Sequence, residues 1–449
     1  MATSVFDSGL FRNMFGTAPM RAIFNDAAYL ARCVEAEVAL ARAQGRVGVI
    51  PAAAADAIAA HARADALDMD TLQHETEIVG YPILPLVQQL SAQCGEAGRY
   101  VHWGATTQDI MDLATVLQMR AGLDLIGQEL DAVRAALVVL ARRYRDTEMA
   151  GRTHLQQALP VTFGFKAAVW LSGLDRHADR LRELKPRALM AQFGGAAGTL
   201  ASLGSGDEGL RVRAELAQGL GLGEPPITWH VARDGLAEAV QFLALLGGSL
   251  GKIAFDVMVM ASTEFGEVAE PFVHGRGASS TMPQKRNPIS CELILAASKT
   301  LRQNAGLMLD AMVHDFERAT GPWHLEWVAI PESFVLAASA LGQARFMLEG
   351  LVVDTDRMRR NLDMTNGLIV AEAVMMGLAP YIGRQQAHDV VYDACRKAIE
   401  SGGDILPILE AQPEIVGPLG RERLAALCDP SNYVGASGLM VDRVVGGRK

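Results

Sequence analysis

Gly277-Ala278-Ser279-Ser280-Thr281-Met282-Pro283-Gln284-Lys285-Arg286-Asn287-Pro288 is the stretch on which the reading of this chain turns. Between Ser279 and Asn287 stand three hydroxyls, two cations and two amides. Gly275 and Gly277 loosen the backbone on one side, while Pro283 and Pro288 fix φ among and after the polar residues. Residues 289–313, which follow, read as one long apolar helix. A polar, glycine-hinged loop feeding a rigid rod reads as a mobile lid over an active site.

The helical pattern extends outward from that rod in both directions. Residues 22–45 carry apolar side chains at helical spacing, and Pro51 opens an Ala-rich helix. Residues 109–145 lack proline, and Leu113, Val116, Leu117, Leu123, Leu130, Val133, Leu137 and Leu140 keep close to a 3.6-residue period. Helix is expected again over 161–182 and 331–349. Residues 234–269 are apolar on nearly every face, which implies one long helix buried at the centre of a bundle. Rods of this kind need more partners than one chain provides, so homo-oligomerisation through helix packing is expected. The fold class is all-α. Its expected parts are an N-terminal helical domain (1–110), a central long-helix bundle (111–353) with the polar loop at 272–288, and a small C-terminal helical domain (354–449).

Bulk properties narrow the function. Half of the 449 residues are hydrophobic and only 6% aromatic, a balance that suits helices better than sheets. A formal charge of −10 argues against nucleic acid and anionic membranes as partners. Five cysteines stand singly, with no CxxC, which favours reduced thiols over a disulfide framework or a zinc site. The first residues lack a basic and then apolar leader pattern, and no uninterrupted apolar run of 18 residues occurs. A cytoplasmic protein without membrane spans is expected.

Four polar islands interrupt the apolar pattern. Thr106-Thr107-Gln108-Asp109 opens a long helix, either as a cap or as a carboxylate site formed by hydroxyls and free N–H groups. Gly151-Arg152-Thr153-His154-Leu155-Gln156-Gln157-Ala158-Leu159-Pro160 packs five polar side chains between apolar helices, each needing a partner if buried. The Ser279 loop, extended by Glu292, combines hydroxyls with Lys285 and Asn287. A serine acts as base or nucleophile only where an ammonium or N–H groups stabilise its alkoxide. No Gly-x-Ser-x-Gly elbow accompanies it. Around Glu317-Arg318, Trp323, His324 and Trp327 form either a pocket lining or an aromatic cap on an interhelix turn.

Together, Ser279 to Pro288, Thr106 to Asp109 and Thr153-His154 resemble the three active-site regions of the fumarase/aspartase superfamily, in order and over essentially the whole chain. That resemblance implies a homotetramer with a twenty-helix core and active sites shared by three subunits, acting without metal or organic cofactor. It implies Ser279 as general base next to a carboxylate, and Lys285 and Asn287 stabilising an aci-carboxylate. His154 paired with Glu292 would be the general acid. Thr106, Thr107, Thr153, Gln156, His102 and Arg318 would bind a small polycarboxylate. The flanks look most similar to the 3-carboxy-cis,cis-muconate cycloisomerase subgroup, through Tyr100 to Thr106, Leu155 to Gly164 and Glu317 to His324. Two positions depart from that subgroup: His154 stands where Trp is frequent, and Tyr81 where Gly-His-Pro is usual. Adenylosuccinate lyase, which uses a His–Glu pair, is the alternative, although the aromatic segment after Arg318 makes a poor phosphate cradle. A catalytically silent structural or binding homologue is the alternative of another class.

Overall fold

The computed structural model describes residues 3–318 and 320–446, and the described residues form eighteen α-helices with two short two-stranded sheets. They divide into two compact units. The first comprises residues 1–130, 176–251 and 293–342; the second comprises 131–175, 252–292 and 343–449. All five divisions fall inside long helices, α6 (Thr107–Arg143), α7 (Phe163–Ala188), α9 (Asp234–Met260), α10 (Ile289–Ala311) and α11 (Pro322–Glu349).

In the first unit, α1 (Ala18–Ile23) and α2 (Asp26–Val47) begin with side-chain caps from Thr17 and Asn25. Gly48, in the left-handed region, ends α2. The helices α3 (Ala52–His61), α4 (Met69–Val79), α5 (Ile83–Gln93) and α8 (Glu208–Leu220) complete the set. Leu40, Leu86, Leu90 and Leu113 bury their side chains with Phe193 and Leu216, from loop and α8, in one core. In the second unit, an antiparallel hairpin pairs β1 (Glu148–Thr153) with β2 (Gln156–Thr162). Val268 and Ala269 (β3) pair with Val352 and Val353 (β4), ahead of α12 (Thr355–Asp363). The helices α13 (Ala371–Ile382) to α17 (Arg421–Leu427) pack a separate small core around Leu378, Val391, Leu409 and Leu424.

The structure differs from the sequence expectation at two helices and one polar island. The apolar span 234–269 is one helix only as far as Met260. Beyond it, the carbonyls of Thr263, Glu264 and Phe265 accept from Arg357, and Gly266 adopts φ +59°, so the chain turns into β3. The helix expected from Pro331 starts at Pro322 instead and carries Pro331 in its interior. A proline is favoured at the first helical position, where Pro322 stands, and Pro331 costs the helix only the bond that the Trp327 carbonyl would otherwise accept. The island at 151–157 is a β-hairpin rather than an interhelix link. Its turn residues, His154 and Leu155, both have positive φ (53° and 60°), as a tight two-residue turn demands.

By length and composition alone, α9 and α11 are apolar enough to cross a bilayer, though half of one apolar window and 67% of the other are buried. The interruption of each run by polar residues, rather than low hydropathy, is therefore what the sequence reading detects.

Candidate functional site

The first unit gathers groups suited to holding carboxylates at the start of α6. Asp109 reaches back to accept from the N–H of Thr106 (3.0 Å), closing the first turn. The same carboxylate accepts from the N–H groups of Gly194 and Gly195 (2.9 Å each) and from Gln192 Nε2 (3.2 Å). It thereby ties the 194–198 glycine loop to the helix start. Burial pushes its pKa up to about 6, although four hydrogen bonds pull the other way. Its folded pKa exceeds the unfolded value, so its contribution to stability declines as pH rises from about 4 through about 6. Asp109→Ala strands the buried N–H groups of Gly194 and Gly195 and the half-buried one of Thr106; urea unfolding at pH 7 should show a loss of about 1–3 kcal/mol. An unchanged midpoint would mean that the loop finds other acceptors.

Because Asp109 does the capping, the hydroxyls of Thr106 and Thr107 make no hydrogen bond among the described residues. Gln108 donates to the carbonyl of His230 (2.7 Å) and accepts from Arg318 (2.7 Å), which also donates to the carbonyl of Ala196 (2.6 Å). Arg318 thus has neutral partners only, and its charge remains uncompensated among the described residues. His102 Nδ1 lies 2.6 Å from Glu37 Oε1. Thr106, Thr107, Arg318 and His102 all belong to this unit, with Arg318 and Thr107 bridged through the neighbouring Gln108. Trp323 stacks on Tyr81 (5.6 Å between centroids) and packs edge-on against Trp327 (5.2 Å). Both tryptophans, with Phe24, Tyr29, Met111 and Gln118, line a cavity of about 350 Å³. The aromatic island therefore lies on α11 and lines a pocket; it is not a cap on a turn.

The second unit carries the remaining residues. The loop after β3 is closed at its base: Ala278 bridges Arg286, and Asn287 N–H donates to the Gly277 carbonyl (3.0 Å). Gly277 has φ +69°, and a Cβ there would stand 2.5 Å from the Asn287 carbonyl oxygen, so only glycine fits. Glu270 accepts from the N–H groups of Ser290 and Cys291, capping α10 where the loop enters it. Arg276 donates to Ser290 and Gln343 (2.8 Å each) from the other flank. At the tip, Ser279 Oγ accepts from the N–H groups of Thr281 (3.3 Å) and Met282 (3.0 Å). Two amide donors on one hydroxyl oxygen favour its anion. Lys285 lies exposed on the same loop.

The hairpin is braced from beneath. Arg152 pairs doubly with the fully buried Glu267 (2.6 and 2.9 Å), which Asn361 also contacts (2.9 Å). Arg152 is thereby spent on structure, while Thr153, His154 and Gln156 project at the exposed turn. Glu292 is exposed on α10, and among the described residues neither its side chain nor that of His154 has a hydrogen-bond or ion-pair partner. One chain does not bond the expected His154–Glu292 pair. The sequence reading missed Glu37, Glu267, Glu270 and the 194–198 loop. The run Gly194-Gly195-Ala196-Ala197-Gly198 was the one local signal among these.

A family description of lyases matches residues 14–301, and one of the adenylosuccinate lyase C-terminus matches residues 367–444. The crystal structure of a fumarate lyase from Mesorhizobium sp. BNC1 is 60% identical with a TM-score of 0.92, covering 97% of this chain and 99% of that one. A trans-aconitate decarboxylase 1 of Mycosarcoma maydis is 47% identical over 98% of this chain and 89% of its own length. A 3-carboxy-cis,cis-muconate cycloisomerase of Pseudomonas aeruginosa is 46% identical over 97% and 95%.

Proposed function

We propose, on the premise that this chain belongs to the lyase family, that it is a cofactor-independent enzyme resembling 3-carboxy-cis,cis-muconate cycloisomerase. It acts on a small tricarboxylate, cytoplasmically, by removing a proton from the carbon next to a carboxylate. The observation that carries this reading is the Ser279 hydroxyl, whose oxygen two loop amides already solvate as they would an alkoxide. Ser279 takes the proton, and the second negative charge then building on the substrate carboxylate meets Lys285 and Asn287. The remaining carboxylates bind Thr106, Thr107, His102 and the uncompensated Arg318, with Thr153 and Gln156 from the hairpin. Tricarboxylates are favoured because two relatives of comparable identity are named for them, a carboxymuconate and trans-aconitate.

In this reading the chain works as a homotetramer. Its three parts are an N-terminal portion (1–110), a bundle (111–353) and a C-terminal portion (354–449). The exposed, unpartnered His154 and Glu292 meet as groups from different copies, and closure of the 272–288 loop gates the chemistry. Paired with Glu292, His154 protonates the departing atom. Asparagine tolerates the left-handed turn that His154 occupies. His154→Asn should therefore keep the thermal midpoint while lowering kcat by roughly 10²–10⁴-fold; near-normal turnover would remove the general-acid role.

The adenylosuccinate alternative is favoured by the match at residues 367–444. Against it stands the aromatic packing of Trp323, His324 and Trp327 after Arg318, which offers no cationic cradle for phosphate. Ultraviolet assays with 3-carboxy-cis,cis-muconate, trans-aconitate and adenylosuccinate separate the two. Turnover of adenylosuccinate alone would overturn the tricarboxylate reading.

A further inference from the structure

His102 stands on strained backbone with its ring held from behind. Its φ is +60°, a left-handed conformation that a non-glycine residue keeps only where its surroundings impose it. Gln44 imposes it in part, donating to the neighbouring carbonyl of Trp103 (2.6 Å). Glu37 on α2 does the rest, through the 2.6 Å contact with Nδ1. The Glu37 side chain is only 1% exposed, and its second oxygen is buried without a hydrogen-bond partner. A carboxylate sealed from water with a single partner is stabilised most when that partner is a cation. With Nδ1 engaged, the ring's Nε2 edge is the one left to meet a ligand, and the His102 side chain keeps 20% of its surface open.

We propose that Glu37 is a positioning residue that holds His102 as an imidazolium, so that Nε2–H receives a substrate carboxylate beside Thr106 and Thr107. This deepens the lyase reading above and rests on it. Two negative groups face the ring: Glu37 from α2 and Asp109 from α6. Burial pulls the imidazole pKa down, but these two carboxylates outweigh it and the net shift is upward. The sign follows directly. The cation persists to higher pH than an ordinary histidine would allow, and carboxylate binding weakens only as pH rises through the raised value. Glu37 lies outside every motif, on the face of a helix whose pattern reads as ordinary core.

The test compares wild type with Glu37→Gln, which keeps the shape and removes the charge. Calorimetry follows binding of propane-1,2,3-tricarboxylate to the full-length protein between about pH 5.5 and 9. Glu37→Gln should bind about tenfold more weakly at pH 7.5, with the fall in affinity moved acidward by about one unit. With substrate, the loss should fall on KM rather than kcat. A binding curve that superimposes on wild type overturns the proposal. So does an equal loss at every pH, which marks a merely structural role. If Glu37→Gln does not fold, His102→Lys supplies a permanent cation. Its affinity should then be flat across this range, and a wild-type pH dependence would overturn the proposal. Failure of the lyase reading looks different: wild type would then turn over no polycarboxylate at all.

Discussion

Ser279→Ala should lower kcat by roughly 10²–10⁴-fold with little change in KM, and should stop exchange of the substrate's acidic hydrogen with solvent deuterium. The argument is geometric before it is chemical. Ser279 Oγ accepts from the N–H groups of Thr281 and Met282, at 3.3 and 3.0 Å. A neutral hydroxyl gains little from two such donors, whereas an oxyanion gains much. Removing Oγ leaves loop-tip amides that solvent can reach, so the base bridge and the α10 cap should hold and the fold should survive. Ser280 is the internal control. It is exposed on the same loop without a hydrogen bond among the described residues, so Ser280→Ala should leave kcat within about twofold. Equal losses in the two variants would reassign the effect to loop conformation. Continued deuterium exchange in Ser279→Ala would move the base elsewhere.

Legibility in the sequence tracked distance along the chain. The loop at 277–288 could be read because its hinge, hydroxyls and cation lie within a dozen residues, and the closing contact joins Gly277 to Asn287. Likewise Asp109 announced the start of α6 from three residues away. What stayed hidden were partners set by the fold. Glu37 sits 65 residues before His102, and Glu267 is 115 residues beyond Arg152. Each looks like an ordinary polar residue until packing removes water from it. The end of α9 was misplaced for the same reason, since Arg357, over ninety residues away, donates to the carbonyls of the turn just beyond it. The hairpin turn failed for a local reason. His154-Leu155 lacks the Asn or Gly that a turn with positive φ ordinarily shows, and a strained turn at that position accords with a functional side chain.

The largest stability effect is expected at Arg233. Its side chain has no exposure, and it forms double hydrogen bonds with both Asp112 (2.7 and 2.8 Å) and Glu326 (2.8 and 2.6 Å). The guanidinium also lies 5.1 Å over the Trp229 ring. Two buried carboxylates thus share one cation. Burial raises the Glu326 pKa even with Arg233 in place. Arg233→Met keeps much of the volume but leaves both carboxylates without a counter-charge, and should lower the unfolding free energy by about 3–5 kcal/mol at pH 8. Without the Arg233 charge, which opposes the rise, the Glu326 pKa climbs further, so the folded state binds more protons and the deficit grows with pH. Unfolding at pH 5 should accordingly show a smaller loss. Burial, followed by the Arg233 charge, holds nearby His314 down at about 4; loss of that charge moves it upward and so acts in the same direction. Replacing all three residues with apolar ones (Arg233→Met, Asp112→Leu, Glu326→Met) should recover most of the stability, because the cost lies in the stranded charges. A loss below about 1 kcal/mol, or one equal at both pH values, would mean that water reaches the carboxylates once the arginine is gone.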